Sequence, residues 1–407
     1  MLRRLRSIDS KTWLWLVVLT LLFIVSTRYS LALALRDSDP QTALRLAPDD
    51  AEVLATVAAR TVRSQIRSAA ARAQASREAK AALMREPGNV SAVATLGLIA
   101  AADGKVATAR SFFAYSMRRS RRNLSTQLWL IEDAVGRNDV SEALSHYDIA
   151  LRTSSRAPAI LFPILISAVS DPQIRAGLVP LFRRGPLWKE AFEITLAQQT
   201  HDFAAAADLF AKMAAGGVAP SATSENILLS NMVTAGQIDG AWRYYRLHRL
   251  RSDPIQPRNA TFSPAGTDGS PFDWGLINDN GISSSLGGGN NGQGGALSFT
   301  ISPSIAGIIA QQVQKLPAGR YRLSGHSREI RQEAKNYLRW EILCSDGRPL
   351  GKAMINASEA AAASFSADFE IPANCSTQLL RLIALPSDDV AGITGQMLDV
   401  RIDRRSS

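Results

Sequence analysis

The chain contains little of what catalytic and metal-binding sites are built from. Of its 407 residues only four are histidines and two are cysteines, and the histidines have no spacing typical of metal ligands. No P-loop, Rossmann glycine pattern or nucleophile elbow occurs. We therefore expect no metal, no cofactor and no catalytic residue, and predict that the protein is not an enzyme. A glycan-processing enzyme stays an alternative, because its paired carboxylates look like surface charges without geometry.

Long apolar runs are also scarce, and the main one lies near the N-terminus. Residues 13–25 are apolar except for Thr20, and the segment before Thr12 is rich in basic residues. Residues 12–27, extended by Arg28 reaching towards the lipid headgroups, can make up the ~20 residues of a membrane span. Because basic flanks stay in the cytoplasm, we predict a cytoplasmic tail at 1–11 and a transmembrane signal anchor at 12–36.

A cleaved signal peptide is the alternative interpretation of this segment. Ala32-Leu33-Ala34 has the small-x-small pattern of a cleavage site. Arg28 interrupts the approach to that site, and the leucines beyond it continue a helix, so the pattern favours an uncleaved anchor. The Ala- and Arg-rich composition is typical of a bacterium. We therefore predict a single-pass protein of the bacterial inner membrane, with its bulk in the periplasm.

The net charge of +10 is unevenly distributed. Residues 271–407 contain 13 Lys+Arg and 13 Asp+Glu, so the basic excess lies in the N-terminal part, with a cluster at Arg118, Arg119, Arg121 and Arg122. Such a cluster is either a solvated helix end or a contact for an anionic partner or membrane surface. Export argues against a nucleic-acid partner, and we expect none.

A repeat period of about 34 residues organises the chain between positions 90 and 155. A glycine or asparagine, then an alanine, then an aromatic residue recur at this period, and an alanine lets two antiparallel helices approach closely. This pattern resembles the tetratricopeptide repeat. The resemblance implies stacked helix pairs with a concave groove for a peptide or protein. The predicted packing residues are Leu96, Gly97, Gly104, Ala109, Phe113, Leu130, Ala143 and Tyr147.

Weaker copies extend the resemblance over residues 37–251. Helix pairs are indicated at 188–214 and 222–249, and four prolines break the chain between 158 and 180 into short helices. An array that acts only as a spacer is the alternative. Proline and glycine interrupt all periodicity at 252–270, where we place a linker.

From residue 271 onward the apolar period becomes two. The predicted strands are 272–277, 296–301, 308–313, 320–328, 337–344, 364–371, 379–385 and 397–403. Eight short strands separated by turn residues predict an antiparallel β-sandwich or jelly roll over 271–407. The strand order resembles the jelly-roll domains related to carbohydrate-binding modules. The chain is thus predicted to be multidomain: a transmembrane helix, an all-α helical-repeat solenoid and an all-β sandwich.

The second resemblance implies a polysaccharide ligand, bound by loops at one end or by a sheet face. The candidate ligand-binding residues are Trp274, Asn290, Asn291, Arg322, His326, Arg328, Arg339 and Glu341. An exposed aromatic ring would stack on a sugar and the polar groups would hydrogen-bond its hydroxyls. Core packing is the alternative role for Trp274, and a solvated sheet face is the alternative for the arginines.

Both cysteines lie in the predicted sandwich. Cys344 ends one predicted strand, and Cys375 follows another after a short turn. An exported compartment permits a disulfide, so we predict a bond between Cys344 and Cys375. Two buried, unpaired thiols are the alternative.

These features predict a membrane-anchored periplasmic scaffold that binds a protein through its helical repeats and a glycan through its sandwich. The layout is similar to accessory proteins of bacterial exopolysaccharide or cell-envelope assembly. A pure protein–protein interaction scaffold without sugar binding is the second hypothesis, and a glycan-processing enzyme is the third. The expected partners are the inner membrane, a protein bound by the helical repeats and, under the first hypothesis, a polysaccharide.

Overall fold

A computed structural model describes residues 10–249, 253–264, 269–288, 295–332, 338–359, 361–387 and 390–405. Within these residues fourteen helices are followed by ten strands. The chain divides into two compact units, Met1–Pro163 and Ile164–Ser407. The predicted fold class is confirmed: an apolar N-terminal helix, an array of helix pairs and a C-terminal antiparallel sandwich.

The first helix is long, and the helices that follow it are short. They are α1 (Ser10–Leu35), α2 (Pro40–Leu46), α3 (Ala51–Gln65), α4 (Ala69–Arg85), α5 (Val90–Ala102), α6 (Val106–Arg119), α7 (Leu124–Gly136), α8 (Val140–Thr153), α9 (Ala157–Ala168), α10 (Pro172–Arg183), α11 (Lys189–Gln199), α12 (Phe203–Ala215), α13 (Ala222–Thr234) and α14 (Ile238–His248).

The repeat period of the sequence is also the period of the helices. The starts of α5 and α7 lie one period apart, as do the starts of α6 and α8. The Asn89 side chain caps α5 and the Asn123 side chain caps α7, and each accepts a hydrogen bond from a backbone N–H in the first turn. Gly104 and Asn138 hold the left-handed backbone that closes each turn, with φ of 75° and 58°. The two pairs are therefore copies of one local structure.

The contact between α5 and α6 depends on a glycine, Gly97, which has no side chain to block the approach. Phe113 is fully buried, and a Cβ atom added to Gly97 would lie 2.8 Å from its ring. Ala109 is equally buried in the same core cluster. Phe113 also stacks on Trp129 of α7, with ring centroids 4.4 Å apart. The aromatic side chain thus joins one helix pair to the next.

The apolar helix α1 is joined to the first helix pair by packing. Among the described residues, one helix, Trp13–Leu35, is long and apolar enough to cross a membrane. Near its end Ala32 is buried in a cluster with residues of α2 and α3, and Arg28 donates to the backbone oxygen of Leu46 at 3.0 Å. These contacts lie on one face, since positions 28 and 32 are one helical turn apart. The described part of the predicted anchor is helical to Leu35.

The sandwich consists of two five-stranded antiparallel sheets. Its strands are β1 (Gly275–Leu276), β2 (Ile282–Gly288), β3 (Gly295–Ile301), β4 (Gly307–Gln314), β5 (Gly319–Arg331), β6 (Leu338–Cys344), β7 (Pro349–Met354), β8 (Ala363–Ile371), β9 (Gln378–Ala384) and β10 (Ile393–Arg404). The strand orders are β1-β4-β9-β6-β7 and β2-β3-β10-β5-β8. The alternation predicted for β5, β6 and β8 is confirmed by their burial patterns.

Three differences from the predicted strands have physical reasons. The strand predicted at 272–277 shortens to β1, because Phe272 and Trp274 turn into the core before pairing begins. The sequence pattern predicts neither β2 nor β7. β2 is rich in serine and glycine, and β7 is an edge strand that begins at a proline. Neither strand has the apolar alternation that identifies a half-buried strand.

Cys344 and Cys375 form a disulfide, with Cα atoms 5.7 Å apart. Cys344 ends β6, while Cys375 lies between β8 and β9. β6 pairs with β9, and Cys344 lies opposite Gln378, the first residue of β9. Cys375 precedes Gln378 by three residues, so the two cysteines meet beside the start of β9. Both side chains belong to the hydrophobic core of the sandwich.

The described part of the predicted linker is packed onto the sandwich. Phe262 is fully buried in the sandwich core. The Gln256 amide donates to the backbone oxygen of Ile402 at 2.8 Å and accepts from its N–H. Residues 250–252 and 265–268 lie outside the described residues. Proline and glycine interrupt helical periodicity here, and the described residues between them contribute Phe262 to the sandwich core.

A buried polar network joins α14 to the sandwich within the second unit. Tyr245 Oη donates to Asp273 Oδ1 at 2.7 Å. The Arg258 guanidinium donates to the backbone oxygen of Phe272 at 2.6 Å and lies 5.3 Å from the ring centroid of Trp242. Burial lowers the pKa of Arg258 to about 10, which still leaves it charged at neutral pH. Buried polar and aromatic contacts therefore join α14 to the segment that leads into the sandwich.

Candidate functional site

The first unit contains a groove of about 800 Å³, a size within the ~300–1,000 Å³ of ligand-binding clefts. It is lined by Ala59, Val62, Arg63, Ile66, Ser91, Ala94, Thr95, Leu98, Arg122, Asn123, Leu124, Ser125, Leu128, Trp129, Glu132, Thr153, Ser154, Ser155, Arg156 and Ile160. These residues come from α3, α5, α7 and α9, from the end of α8, and from the turns after α3 and before α7 and α9. The first helix of each pair therefore forms the wall of the groove.

The groove is built from equivalent positions of the repeat. In α5 it uses positions 91, 94, 95 and 98, which share one helix face at i, i+3, i+4 and i+7. In α7 it uses 125, 128, 129 and 132, each one repeat period further along the chain. The residue types differ at several of these equivalent positions. Trp129 in α7 corresponds to Thr95 in α5, and Glu132 corresponds to Leu98. The repeat thus fixes the geometry of the wall, while the residue types at these positions set its chemistry.

Trp129 is the largest apolar side chain in the groove lining. Its ring stacks on Phe113 at an interplanar angle of 18°, which holds it in one orientation. Leu98, Leu128 and Ile160 are its apolar neighbours in the lining. Because Trp129 is only half-buried, part of the ring remains open to a ligand.

The charged residues of the groove are mainly cationic. Arg63 lies in the last turn of α3, Arg122 in the turn before α7 and Arg156 in the turn before α9, and all three are exposed. Glu132 is the acidic residue of the lining. Arg122 and Arg156 are one repeat period apart, and their backbone N–H groups donate to the hydroxyls of Ser120 and Ser154. The two guanidinium groups are therefore presented from equivalent turns.

The described candidate residues on the sandwich strands are divided between its two sheets. Arg322, His326 and Arg328 follow the polar alternation of β5 in one sheet, whereas Arg339 and Glu341 follow that of β6 in the other. In each strand the intervening residues point into the shared core. The two polar sets therefore face solvent on opposite sides of the sandwich.

Trp274 is part of the core of the sandwich. It is 4% exposed, its ring centroid lies 5.6 Å from that of Trp340, and its Nε1–H donates to the backbone oxygen of Asn259 at 3.2 Å. No ring face is open to a sugar at this position. Asn290 and Asn291 lie outside the described residues, in the connection between β2 and β3.

The polar residues of β5 are paired with neighbouring strands. His326 Nδ1 lies 2.8 Å from Asp399 Oδ2, and Arg328 donates to Gln396 Oε1 at 2.8 Å. Arg322 donates two hydrogen bonds of 2.8 Å to Asp368, which lowers the pKa of that carboxyl group to about 2. This sheet face carries a polar network rather than apolar residues.

Sequence reasoning missed the groove residues, although the signal was present. The packing positions were identified from the repeat period, and the same period relates the positions of the groove wall. What the sequence did not indicate was which face of the first helices stays uncovered, since α5 is apolar around most of its circumference.

No family model matches the chain, and no curated protein matches it. Among solved structures, the carbohydrate-binding module CBM4 is 15% identical, and the match covers 37% of this chain and 99% of that one, with a TM-score of 0.28. PilW, a type IV pilus biogenesis factor, is 16% identical, with 50% and 95% covered and a TM-score of 0.27. An arabinose-bound α-L-arabinofuranosidase is 13% identical with a TM-score of 0.28; the match covers 36% of this chain and only 26% of that enzyme.

Proposed function

We propose that the protein is a membrane-anchored periplasmic scaffold whose groove, formed by α3, α5, α7 and α9, holds a protein partner. Its role would be accessory to exopolysaccharide or cell-envelope assembly, and we assign it no catalysis. The observation that carries the proposal is the groove, with its fixed tryptophan, apolar lining and exposed arginines.

The anchor supports the membrane part of the proposal. α1 is long and apolar enough to cross a bilayer. Ala32, which belongs to the possible cleavage site, is buried against α2 and α3. Removing the helix would take that side chain out of the core, so the packing favours an anchor that is retained. The disulfide supports an oxidising compartment such as the periplasm.

Site-specific photocrosslinking in intact bacteria tests the groove. A photoreactive phenylalanine analogue at Leu128, on the groove wall, should crosslink a defined protein. The same photoreactive analogue in place of Arg77, an exposed residue of α4, serves as the control and should not capture that protein. Equal crosslinking at both positions, or none at Leu128, would remove the basis of the proposal.

Glycan binding by the sandwich is the second candidate function. It is supported by the hydrogen-bonding face of β5 and β10, where His326 pairs with Asp399 and Arg328 with Gln396. Sugars usually also need an aromatic surface, and the described residues of the sandwich expose no large aromatic side chain. Binding through this face would therefore depend on hydrogen bonds to hydroxyl groups.

A glycan array probed with the whole protein distinguishes a scaffold that also binds a glycan from a scaffold that binds proteins alone. Binding that is lost in Arg328→Ala but kept in Arg320→Ala, an exposed control on the same strand, would support a sugar-binding face. The absence of any bound glycan would favour a scaffold for proteins alone. Trp274→Ala is a poor test, because the loss of the buried ring should destabilise the sandwich.

A further inference from the structure

The three arginines of the groove lining take no part in the described ion pairs that engage several other arginines of the first unit. Arg110 and Arg137 both bind Asp133, and hydrogen bonding by Arg110 lowers the pKa of that carboxyl group. Other described ion pairs of the first unit engage Arg36, Arg72, Arg85 and Arg152. Among the described residues, Arg63, Arg122 and Arg156 have no carboxylate partner. The unit thus leaves positive charge unneutralised inside its groove.

The apolar lining separates this groove from a purely electrostatic surface. Leu98, Leu128, Trp129 and Ile160 lie in the same lining as the three arginines. An apolar side chain buried against such residues gains binding free energy in proportion to the apolar area removed from water. A ligand that matches the whole groove therefore needs both negative charge and apolar groups.

We propose that the groove binds an extended acidic protein segment that carries apolar side chains between its carboxylates. This inference rests on the proposed function and specifies its ligand. Guanidinium groups bind carboxylates through two parallel hydrogen bonds, and the apolar side chains would pack against Trp129 and Leu128. A basic segment would be repelled by the same three arginines. An anionic polysaccharide offers carboxylates but few apolar groups for this lining.

Selection from a random library of dodecapeptides tests the inference with the full-length protein in detergent micelles. The peptides selected by the native protein should be rich in Asp and Glu, interspersed with Leu, Phe or Val. Selection by the double variant Arg122→Gln/Arg156→Gln should lose the acidic bias. A control with the same change in charge, Arg45→Gln/Arg77→Gln, alters exposed arginines outside the groove lining and should keep it.

Affinity measurements on one selected acidic peptide complete the test. Fluorescence anisotropy should give binding that is about tenfold weaker in the groove variant, a loss of about 1.4 kcal/mol, because two guanidinium groups no longer donate charge-assisted hydrogen bonds to the peptide. Binding should also weaken as salt screens the charges. The control variant should bind like the native protein.

The possible failures are distinguishable. Selected peptides without an acidic excess would overturn the inference and leave a peptide-binding groove, as the proposed function requires. Binding of a labelled polygalacturonate that depends on Arg122 and Arg156, with no peptide selected, would assign the groove to an anionic polysaccharide instead. No selected peptide, together with no crosslink at Leu128, would overturn both proposals.

Discussion

The close approach of α5 to α6 requires very small side chains at Gly97 and Ala109. The hydrogen of Gly97 leaves room for the Phe113 ring, and the methyl group of Ala109 is fully buried beside it. Close-packed interiors have little free space for an added methylene group. Small side chains at these positions are therefore a requirement of the helix contact.

Replacing Ala109 with leucine should overpack this contact. We expect a loss of about 1–3 kcal/mol in the free energy of unfolding, because the larger side chain must displace Phe113 or shift a helix. Urea denaturation followed by circular dichroism measures it. Arg121→Ala, at an exposed position, is the control and should change stability much less. An Ala109→Leu variant as stable as the native protein would mean that the helix pair is not packed as described.

Stability should fall when the medium becomes acidic, and His146 should contribute to this. The side chain is buried between Gln127, whose Oε1 lies 2.9 Å from Nδ1, and Glu142. Burial lowers the pKa of His146 below its ordinary value near 6.5. The unfolded state therefore binds a proton at a higher pH than the folded state, and stability is lost as pH falls from about 6.5 towards the lowered pKa.

Denaturation curves between pH 7.5 and pH 5 would measure this dependence. His146→Gln should flatten the curve of unfolding free energy against pH in that range. His201→Gln, at an exposed position, should leave it unchanged. A slope that survives in His146→Gln would assign the dependence to other groups.

The disulfide between Cys344 and Cys375 ties the end of β6 to the segment that precedes β9. The bond closes a loop with a sequence separation of 31 residues, and the chain-entropy model gives a stabilisation of about 3–4 kcal/mol for such a loop. Cys344→Ala/Cys375→Ala should therefore lower the melting temperature. Reductant should lower it in the native protein only. Thiol titration of unfolded, unreduced protein should find no free thiol, and two free thiols would contradict the bond.

Elements with a strong apolar period were predictable from the sequence, and elements without one were not. The helix pairs at residues 90–155 and the strands β5, β6 and β8 follow their patterns closely. β2 contains three consecutive serines and ends in glycines, so its pairing with β3 comes from tertiary context. Strand propensity is a weak guide where neighbouring strands supply the stabilisation.

The described candidate ligand-binding residues on the sandwich strands lie on two different sheets, which the sequence could not indicate. Alternation identifies which residues of a strand face solvent, but not which sheet the strand joins. Arg322 and Arg339 have the same polar phase in their own strands, yet β5 and β6 belong to different sheets. The wall of the groove follows the repeat period, but the sequence did not indicate which face of the first helices lines it, because α5 is apolar around most of its circumference.

The orientation of the whole chain across the membrane is the broadest prediction. The basic residues precede the apolar run, so residues 37–407 should lie outside the cytoplasm. Alkaline phosphatase fused after Ser407 should be active, and a reporter that needs the cytoplasm should be inactive. The reverse pattern would overturn the periplasmic location and the compartment assumed for the disulfide.

Within the first unit, the junction between α1 and α2 affects how a partner would be found. Only a short turn separates Leu35 from Pro40, and Ala32 is buried against the helices that follow. A helix embedded in a bilayer would hold the groove near the membrane without a flexible tether. A partner in the same membrane would then meet it by diffusion in two dimensions, at an effective concentration set by the membrane area rather than by the volume of the compartment.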